Sequence, residues 1–199
     1  MDTREDSLPP EDVVNADDRD REQPIRETYS ARVRWLIANL GTALLASSIV
    51  GFFGGAIEHM VALAALMPIV AGVGGNAGTQ TLAVTVRALA MNQLTDSNSW
   101  RAIWREMKIA LLNGGTIALI AGIATAMWFG NPQLGVVIAA AMVVNIFVAG
   151  VAGVAIPLLL DRLDQDPAVA SSIFVTMTTD SMGFLAFLGL AVLSGLTML

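Results

Sequence analysis

The sequence contains no cysteine and only one histidine among its 199 residues. Without cysteine there is no disulfide framework and no thiolate metal site. Charged residues are also scarce, at 14% of the chain, against about a quarter in an ordinary soluble domain. Because 55% of the residues are hydrophobic as well, the composition excludes an ordinary soluble domain and indicates a membrane protein.

The charges that are present are concentrated at one end of the chain. Residues 1–34 hold ten acids and six arginines, and long apolar runs dominate from Trp35 onward. We therefore expect an acidic cytoplasmic head over 1–34, largely flexible, with an amphipathic helix near its end. The remainder, 35–199, is expected to be one transmembrane domain.

Five apolar runs are long enough to cross a bilayer, which takes about 20 residues in a helix. They cover approximately 35–57, 61–82 with an extension towards 89, 109–129, 134–160 and 169–196. The sequence therefore predicts an all-α, polytopic membrane protein with five transmembrane helices.

Basic residues predict the orientation of these helices, because lysine and arginine favour the cytoplasmic side. With the N-terminus inside, the cytoplasmic segments are 1–34, 83–108 and 161–168, and they contain all 11 lysines and arginines of the chain. The outer turns near 58–60 and 131–133 contain none. We therefore expect a cytoplasmic N-terminus and an external C-terminus.

One acid, Asp180, lies well inside a predicted span, in the run SSIFVTMTTDSMGF. A mid-membrane carboxylate is costly unless it meets water, a cation or a partner. Since no basic residue is predicted at a similar depth, Asp180 is protonated, faces water or binds a cation. The structural alternative is a neutral aspartic acid hydrogen-bonded between helices.

Small and hydroxyl-bearing residues accompany Asp180. Helical spacing aligns Ser172, Thr176, Thr179 and Gly183 beside it, as a narrow hydrated path requires. A face of small residues through which two helices pack closely gives the same pattern.

The second span contains MPIVAGVGGNAGTQT, which is unusually polar and glycine-rich for a membrane segment. Helical spacing brings Gly72, Gly75 and Thr79 onto one face next to Asn76, where carbonyl and side-chain oxygens can hold the water shell of a cation. The alternative is a helix contact through the pair Gly74 and Gly78, separated by three residues.

The available ligands indicate which cation such a path takes. Oxygen ligands without thiolate or imidazole favour hard ions, and Mg²⁺ is commonly held through retained waters. A single aspartate is a weak site for a dication, so a symmetric dimer that pairs two copies of Asp180 is attractive.

These motifs resemble one known family. VALAALMPIVAGVGGNAGTQTLAVTVRALA is similar to the second membrane helix of the MgtE magnesium channel family, and DPAVASSIFVTMTTDSMGF resembles its fifth. The similarity covers roughly 32 to the C-terminus. A head of 34 residues is too short for the cytoplasmic N-domain and paired CBS domains of typical members, so the resemblance is to the membrane domain.

The resemblance implies a homodimer with one central Mg²⁺ pore lined by the second and fifth helices. Asp180 would be the pore aspartate that holds hydrated Mg²⁺ from both subunits, helped by the carbonyl of Thr176. Asp166 and Ser172 would lie near the cytoplasmic mouth, and an external site rests on Glu58 alone. Three positions match pore-lining positions of the second helix: Gly72, Gly75 and Thr79.

The resulting hypothesis is a magnesium channel of the bacterial inner (plasma) membrane, in which Mg²⁺ is the bound and transported ion. The partners are a second copy and the lipid bilayer, and no nucleic acid is expected. One alternative is an exchanger that couples divalent metals, including Mn²⁺ and Co²⁺, to Na⁺ or H⁺. A non-conducting partner subunit is another. An intramembrane aspartyl protease is disfavoured because it needs two aspartates and only one lies mid-span.

Overall fold

Every described element is an α-helix, in a computed structural model that describes residues 25–91, 99–164 and 167–197. We number the helices in chain order: α1 Ile25–Phe52, α2 Gly54–His59, α3 Val61–Ala90, α4 Ser99–Phe129, α5 Pro132–Arg162 and α6 Pro167–Leu193. All but α2 contain a stretch long and apolar enough to cross a membrane. The all-α class and the five predicted spans are therefore confirmed.

Two boundaries differ from the expectation in an informative way. The first span ends at Phe52, and the short helix α2 follows it, so that the predicted range 35–57 contains the end of one helix and the start of another. The third predicted span, 109–129, is the second part of α4, which begins ten residues earlier and runs without a break from Ser99 to Phe129. At 1.5 Å per residue, its 31 residues span about 46 Å, longer than the ~30 Å hydrocarbon layer.

Local signals in the sequence account for the turn between α4 and α5. Gly130 follows the last residue of α4 with φ of 62°, the left-handed conformation that ends many helices and favours glycine. The side chain of Asn131 then accepts a hydrogen bond from the backbone N–H of Leu134 at 3.1 Å. Pro132 occupies the first helical position, where its missing N–H costs nothing.

Contacts divide the chain into two units, 1–38 and 39–199. In the first unit, the described residues 25–38 form the start of α1. In the second unit, α5 is the central helix, since it packs against α3, α4 and α6, and α3 also packs against α6. The part of α1 in this unit packs against none of the other described helices.

The apolar core of the second unit lies towards one end of the helices. It joins the start of α3, the start of α5 and the end of α6, with Leu63, Ile138 and Phe187 fully buried. The side-chain amide of Gln133 donates a hydrogen bond to the carbonyl oxygen of Ser194 at 2.6 Å, which ties the start of α5 to the turn after α6. The opposite end of the helices carries the exposed Arg87, at the end of α3, and the exposed Arg162, at the end of α5.

Glycine allows α3 and α5 to approach closely. A methyl group on Gly153 of α5 would stand 2.8 Å from the carbonyl oxygen of Gly78 and 2.8 Å from Cβ of Thr81, both on α3. Since backbone cannot yield as the end of a side chain can, only glycine fits there. The contact is of the small-residue type that brings membrane helices together.

This contact gives a test of the packing. We expect Gly153→Ala to lower the free energy of unfolding by about 1–3 kcal/mol, because the added methyl group overpacks a backbone contact. Gly189→Ala is the control, since a Cβ there meets nothing within 4 Å, and it should be neutral or slightly stabilising. Thermal unfolding in detergent, followed by tryptophan fluorescence, provides the measurement. Equal changes in unfolding temperature in the two variants would contradict the close contact of Gly153 with α3.

Candidate functional site: a carboxylate on the outer face of α6

Asp180 lies on the outward side of α6 and is partly exposed in the single chain. Ser172 and Thr176 precede it at intervals of four, so that the three residues form one row, and both are exposed. The carboxylate is thus not sealed inside the core of one chain. In a bilayer, such a side chain must meet water, a cation or another protein surface.

The predicted stripe on α6 divides into two rows. Thr179 and Gly183 are buried, whereas Ser172 and Thr176 are exposed. The residues of α6 that contact neighbouring helices recur every four positions. Since one helical turn takes 3.6 residues, a row of such positions winds slowly around the helix axis. The inward row therefore contains Thr179 and Gly183, and the adjacent outward row contains Asp180.

Thr179 joins these two rows. Its hydroxyl donates a hydrogen bond to the carbonyl oxygen of Thr176 at 3.0 Å. The side chain has no exposed surface, so this bond satisfies a buried hydroxyl. Because the carbonyl oxygen of Thr176 already accepts this hydroxyl, its direction is fixed. It lies beside the outward row of α6 that ends at Asp180.

The glycines and polar residues of α3 lie on two opposite faces of the helix. Gly74 and Gly78 are buried, and a Cβ on Gly78 would stand 2.7 Å from Cγ1 of Val175. The interpretation of this glycine pair as a helix contact is therefore confirmed. The other predicted pore residues of α3 face outward: Gly75 is partly exposed, and the exposed ones are Gly72, Asn76 and Thr79.

One close contact shows which residues of α3 and α6 lie at the same level. A Cβ built on Gly75 would lie 3.8 Å from the hydroxyl oxygen of Thr179, so the two positions are neighbours across the helix pair. Asn76 and Asp180 each follow one of these residues in the chain. The hydroxyl of Thr79 donates to the carbonyl oxygen of Gly75 at 2.8 Å. The polar faces predicted on the two helices thus lie at the same level in the structure.

Asn145 of α5 is the residue of this region that the sequence interpretation missed. It is fully buried, and its side-chain amide donates a hydrogen bond to the carbonyl oxygen of Val70 on α3 at 2.9 Å. A Cβ on Gly74 would overlap this amide, and a Cβ on Gly183 would stand 2.6 Å from it. The glycines of α3 and α6 thus make room for one amide that links three helices. The signal in the sequence is a lone amide in the interior of an otherwise apolar span.

The remaining predicted positions lie away from this region or outside the described residues. Glu58 is exposed on α2, before the start of α3. Asp166 lies outside the described residues. Within the described part of the chain, no three histidine, cysteine or acidic side chains come together in a group that could hold a metal ion. One copy of the chain therefore offers Asp180 alone in this region.

Comparison with known proteins identifies the family of the chain. Residues 67–190 match the family model MgtE, described as a divalent cation transporter. The chain belongs to the MgtE family. Its match includes the outward polar face of α3, and Asp180 on α6. Five helices of spanning length and membership of this transporter family make the chain a multi-pass membrane protein.

Three bacterial proteins named magnesium transporter MgtE are similar to the chain. The one from Bacillus subtilis strain 168 is 35% identical over 160 residues, which is 80% of this chain and 36% of the relative. The one from Enterococcus faecalis is 38% identical over 170 residues, or 85% and 37%. The one from Thermus thermophilus is 37% identical over 164 residues, or 82% and 36%. The chain thus spans a little over a third of the length of these MgtE relatives.

The buried amide yields the second prediction. We expect Asn145→Ala to lower the free energy of unfolding by about 0.6–1.7 kcal/mol, between the average and the largest value for a hydrogen bond between membrane helices. Asn39→Ala removes the same group from an exposed position of α1 and should leave the unfolding temperature unchanged. Thermal unfolding of both variants in detergent tests this. An unchanged unfolding temperature in Asn145→Ala would show that the amide does not join the helices.

Proposed function

We propose that two copies of this chain form a Mg²⁺ channel, with the pore between them lined by the outward faces of α3 and α6. The observation that carries the proposal is the position of Asp180: a membrane-embedded carboxylate on the surface of one chain. Membership of a divalent cation transporter family and the names of the bacterial relatives support magnesium as the ion.

A second copy supplies what one chain lacks. In a twofold dimer the same surface of each subunit meets at the axis, so two copies of Asp180 lie near each other when α6 faces that axis. Two carboxylates at close range disfavour one another's charge unless a cation stands between them. The two negative charges then equal the charge of one Mg²⁺ ion.

The groups around Asp180 suit an ion that keeps its water. Mg²⁺ loses water reluctantly and is commonly held through several retained waters. Carbonyl and hydroxyl oxygens along the outward faces can accept hydrogen bonds from such waters. In this proposal Asp180 holds the hydrated ion, and the carbonyl of Thr176 contacts its water shell. The residues that line the rest of the pore are Gly72, Gly75, Asn76, Thr79 and Ser172, with Thr179 and Gly183 directly behind.

Direction and driving force follow from the predicted topology. With the basic helix ends in the cytoplasm, Glu58 lies at the external mouth and Asp166 near the internal one. A membrane potential contributes about 2.3 kcal/mol per elementary charge per 100 mV, so an entering dication gains roughly twice that amount. Passive inward flow across the plasma membrane then needs no coupled ion.

A coupled exchanger is the second candidate, and the partial burial of Asp180 favours considering it. A carboxylate that is partly shielded from water can exchange a proton or a monovalent ion for a divalent one. Flux measured with and without a Na⁺ or pH gradient separates the candidates. A current that reverses at the Mg²⁺ equilibrium potential supports the channel, whereas a reversal potential that follows the Na⁺ or proton gradient supports the exchanger.

The third prediction tests the role of the carboxylate. We expect Asp180→Asn, which keeps the shape and removes the charge, to lower Mg²⁺ flux into proteoliposomes by more than tenfold, with the dimer intact by light scattering. Asp161→Asn removes an exposed carboxylate at the end of α5 and should retain most of the flux. Undiminished flux in Asp180→Asn would disprove the pore assignment. If the unmodified protein carries no flux when reconstituted alone, it is a non-conducting subunit.

A further inference from the structure

A cavity lies between α3 and α4, bordered also by Ile146 and Gly150 of α5, and Asp180 is not among its described lining residues. These two helices barely touch, because α5 stands between them over most of their length. The gap contains a cavity of about 250 Å³. Of the ten described residues that line it, four carry polar side chains, namely Gln80 and Thr81 of α3 with Arg105 and Asn113 of α4.

The cavity and the proposed pore lie beside each other on α3. Gln80 and Val84 line the cavity and continue, at intervals of four, the row of Gly72 and Asn76 on the outward polar face. Thr81 lies further around the helix, on the side where Gly153 of α5 approaches it. None of the residues assigned to the pore is among the described residues that line the cavity.

The depth of the cavity matches the inner leaflet boundary. Arg105 lies three residues before Lys108, where the apolar span of α4 begins, so it stands at the level of the lipid headgroups. Asn113 is eight residues further along α4, about 12 Å deeper at 1.5 Å per residue. The cavity thus covers the depth at which a phospholipid carries its phosphate and its ester carbonyls.

The polar side chains that line the cavity suit an anionic group that is bonded to hydrogen-bond acceptors. The guanidinium of Arg105 matches phosphate oxygens in a bidentate geometry. The side-chain amides of Gln80 and Asn113 can donate hydrogen bonds to carbonyl oxygens. Among the described residues that line the cavity none is acidic, so these residues supply no carboxylate for Mg²⁺. Hydrocarbon tails alone would leave these polar groups without partners.

We propose that this cavity binds the headgroup region of an anionic phospholipid. Arg105 holds the phosphate, and the amides of Gln80 and Asn113 hold the glycerol esters beneath it. Basic pockets between membrane helices at the cytoplasmic face are suited to acidic headgroups. Arg87 of α3 is exposed one turn beyond Val84 and adds positive charge near the same level.

Native mass spectrometry of the full chain in detergent tests this proposal. Phosphatidylglycerol and phosphatidylcholine, which share acyl chains and esters but differ in net charge, are added separately at equal concentration. We expect the protein to retain phosphatidylglycerol in at least fivefold preference. Equal retention of the two lipids would overturn the proposal.

Matched variants locate the bound lipid. Arg105→Gln and Asn113→Leu should each lower phosphatidylglycerol retention by about fivefold or more. Arg101→Gln removes the same charge one turn earlier on α4, at an exposed position that is not among the lining residues. This variant should retain most of the bound phosphatidylglycerol. Since Arg101 and Arg105 are both exposed, neither change disturbs the packed core. Equal losses in the two arginine variants would mean that surface charge alone attracts the lipid, against a defined site.

A soluble anion is the competing source of the same phosphate chemistry. Inorganic phosphate and glycerol 3-phosphate are therefore added, each at millimolar concentration, to protein loaded with phosphatidylglycerol. We expect the lipid to remain bound, because the esters and chains add contacts that the soluble anions lack. Displacement of the lipid by either anion would assign the site to a free phosphate compound and overturn the lipid assignment. Neither result depends on ion transport.

Discussion

The structure depends on one constraint: a carboxylate in the middle of a membrane helix must find a polar partner. Asp180 occupies the outward row of α6, where a single chain leaves it partly exposed. Sealing it inside one subunit would need a buried cation or a set of donors at its level. The chain instead presents it on a surface that a second copy can cover, and the hydroxyl-bearing residues before it keep that surface polar.

The rest of the site follows from how α3 and α6 are held in register. Gly74 and Gly183 leave space for the amide of Asn145, which links α5 to the carbonyl of Val70. This three-helix junction lies directly behind Thr179, whose hydroxyl in turn fixes the carbonyl of Thr176. A rigid inner row therefore supports a polar outer row, and the level of Asp180 relative to α3 follows from the close approach of Val175 to Gly78 and of Thr179 to Gly75.

Much of this could be predicted from the sequence, and the physical limits of such prediction are clear. Apolar length gives the five spans, and a lone acid among them identifies Asp180. The sequence could not separate the inward row of Thr179 from the outward row of Thr176, because lipid and protein core are both apolar and hydropathy does not distinguish them. Spacing alone also missed Asn145, since one uncharged amide signals a site only when the glycines opposite it are known.

The central claim is that two copies of Asp180 hold one hydrated dication. The most direct measurement is the structure of the assembled protein in a lipid bilayer with Mg²⁺ present. The account predicts metal density on a twofold axis between the two Asp180 carboxylates, with metal–oxygen distances well above the ~2.1 Å of direct Mg²⁺ coordination, because water lies between. Carboxylates that face lipid, or that lie far from any twofold axis with no density between them, would contradict it.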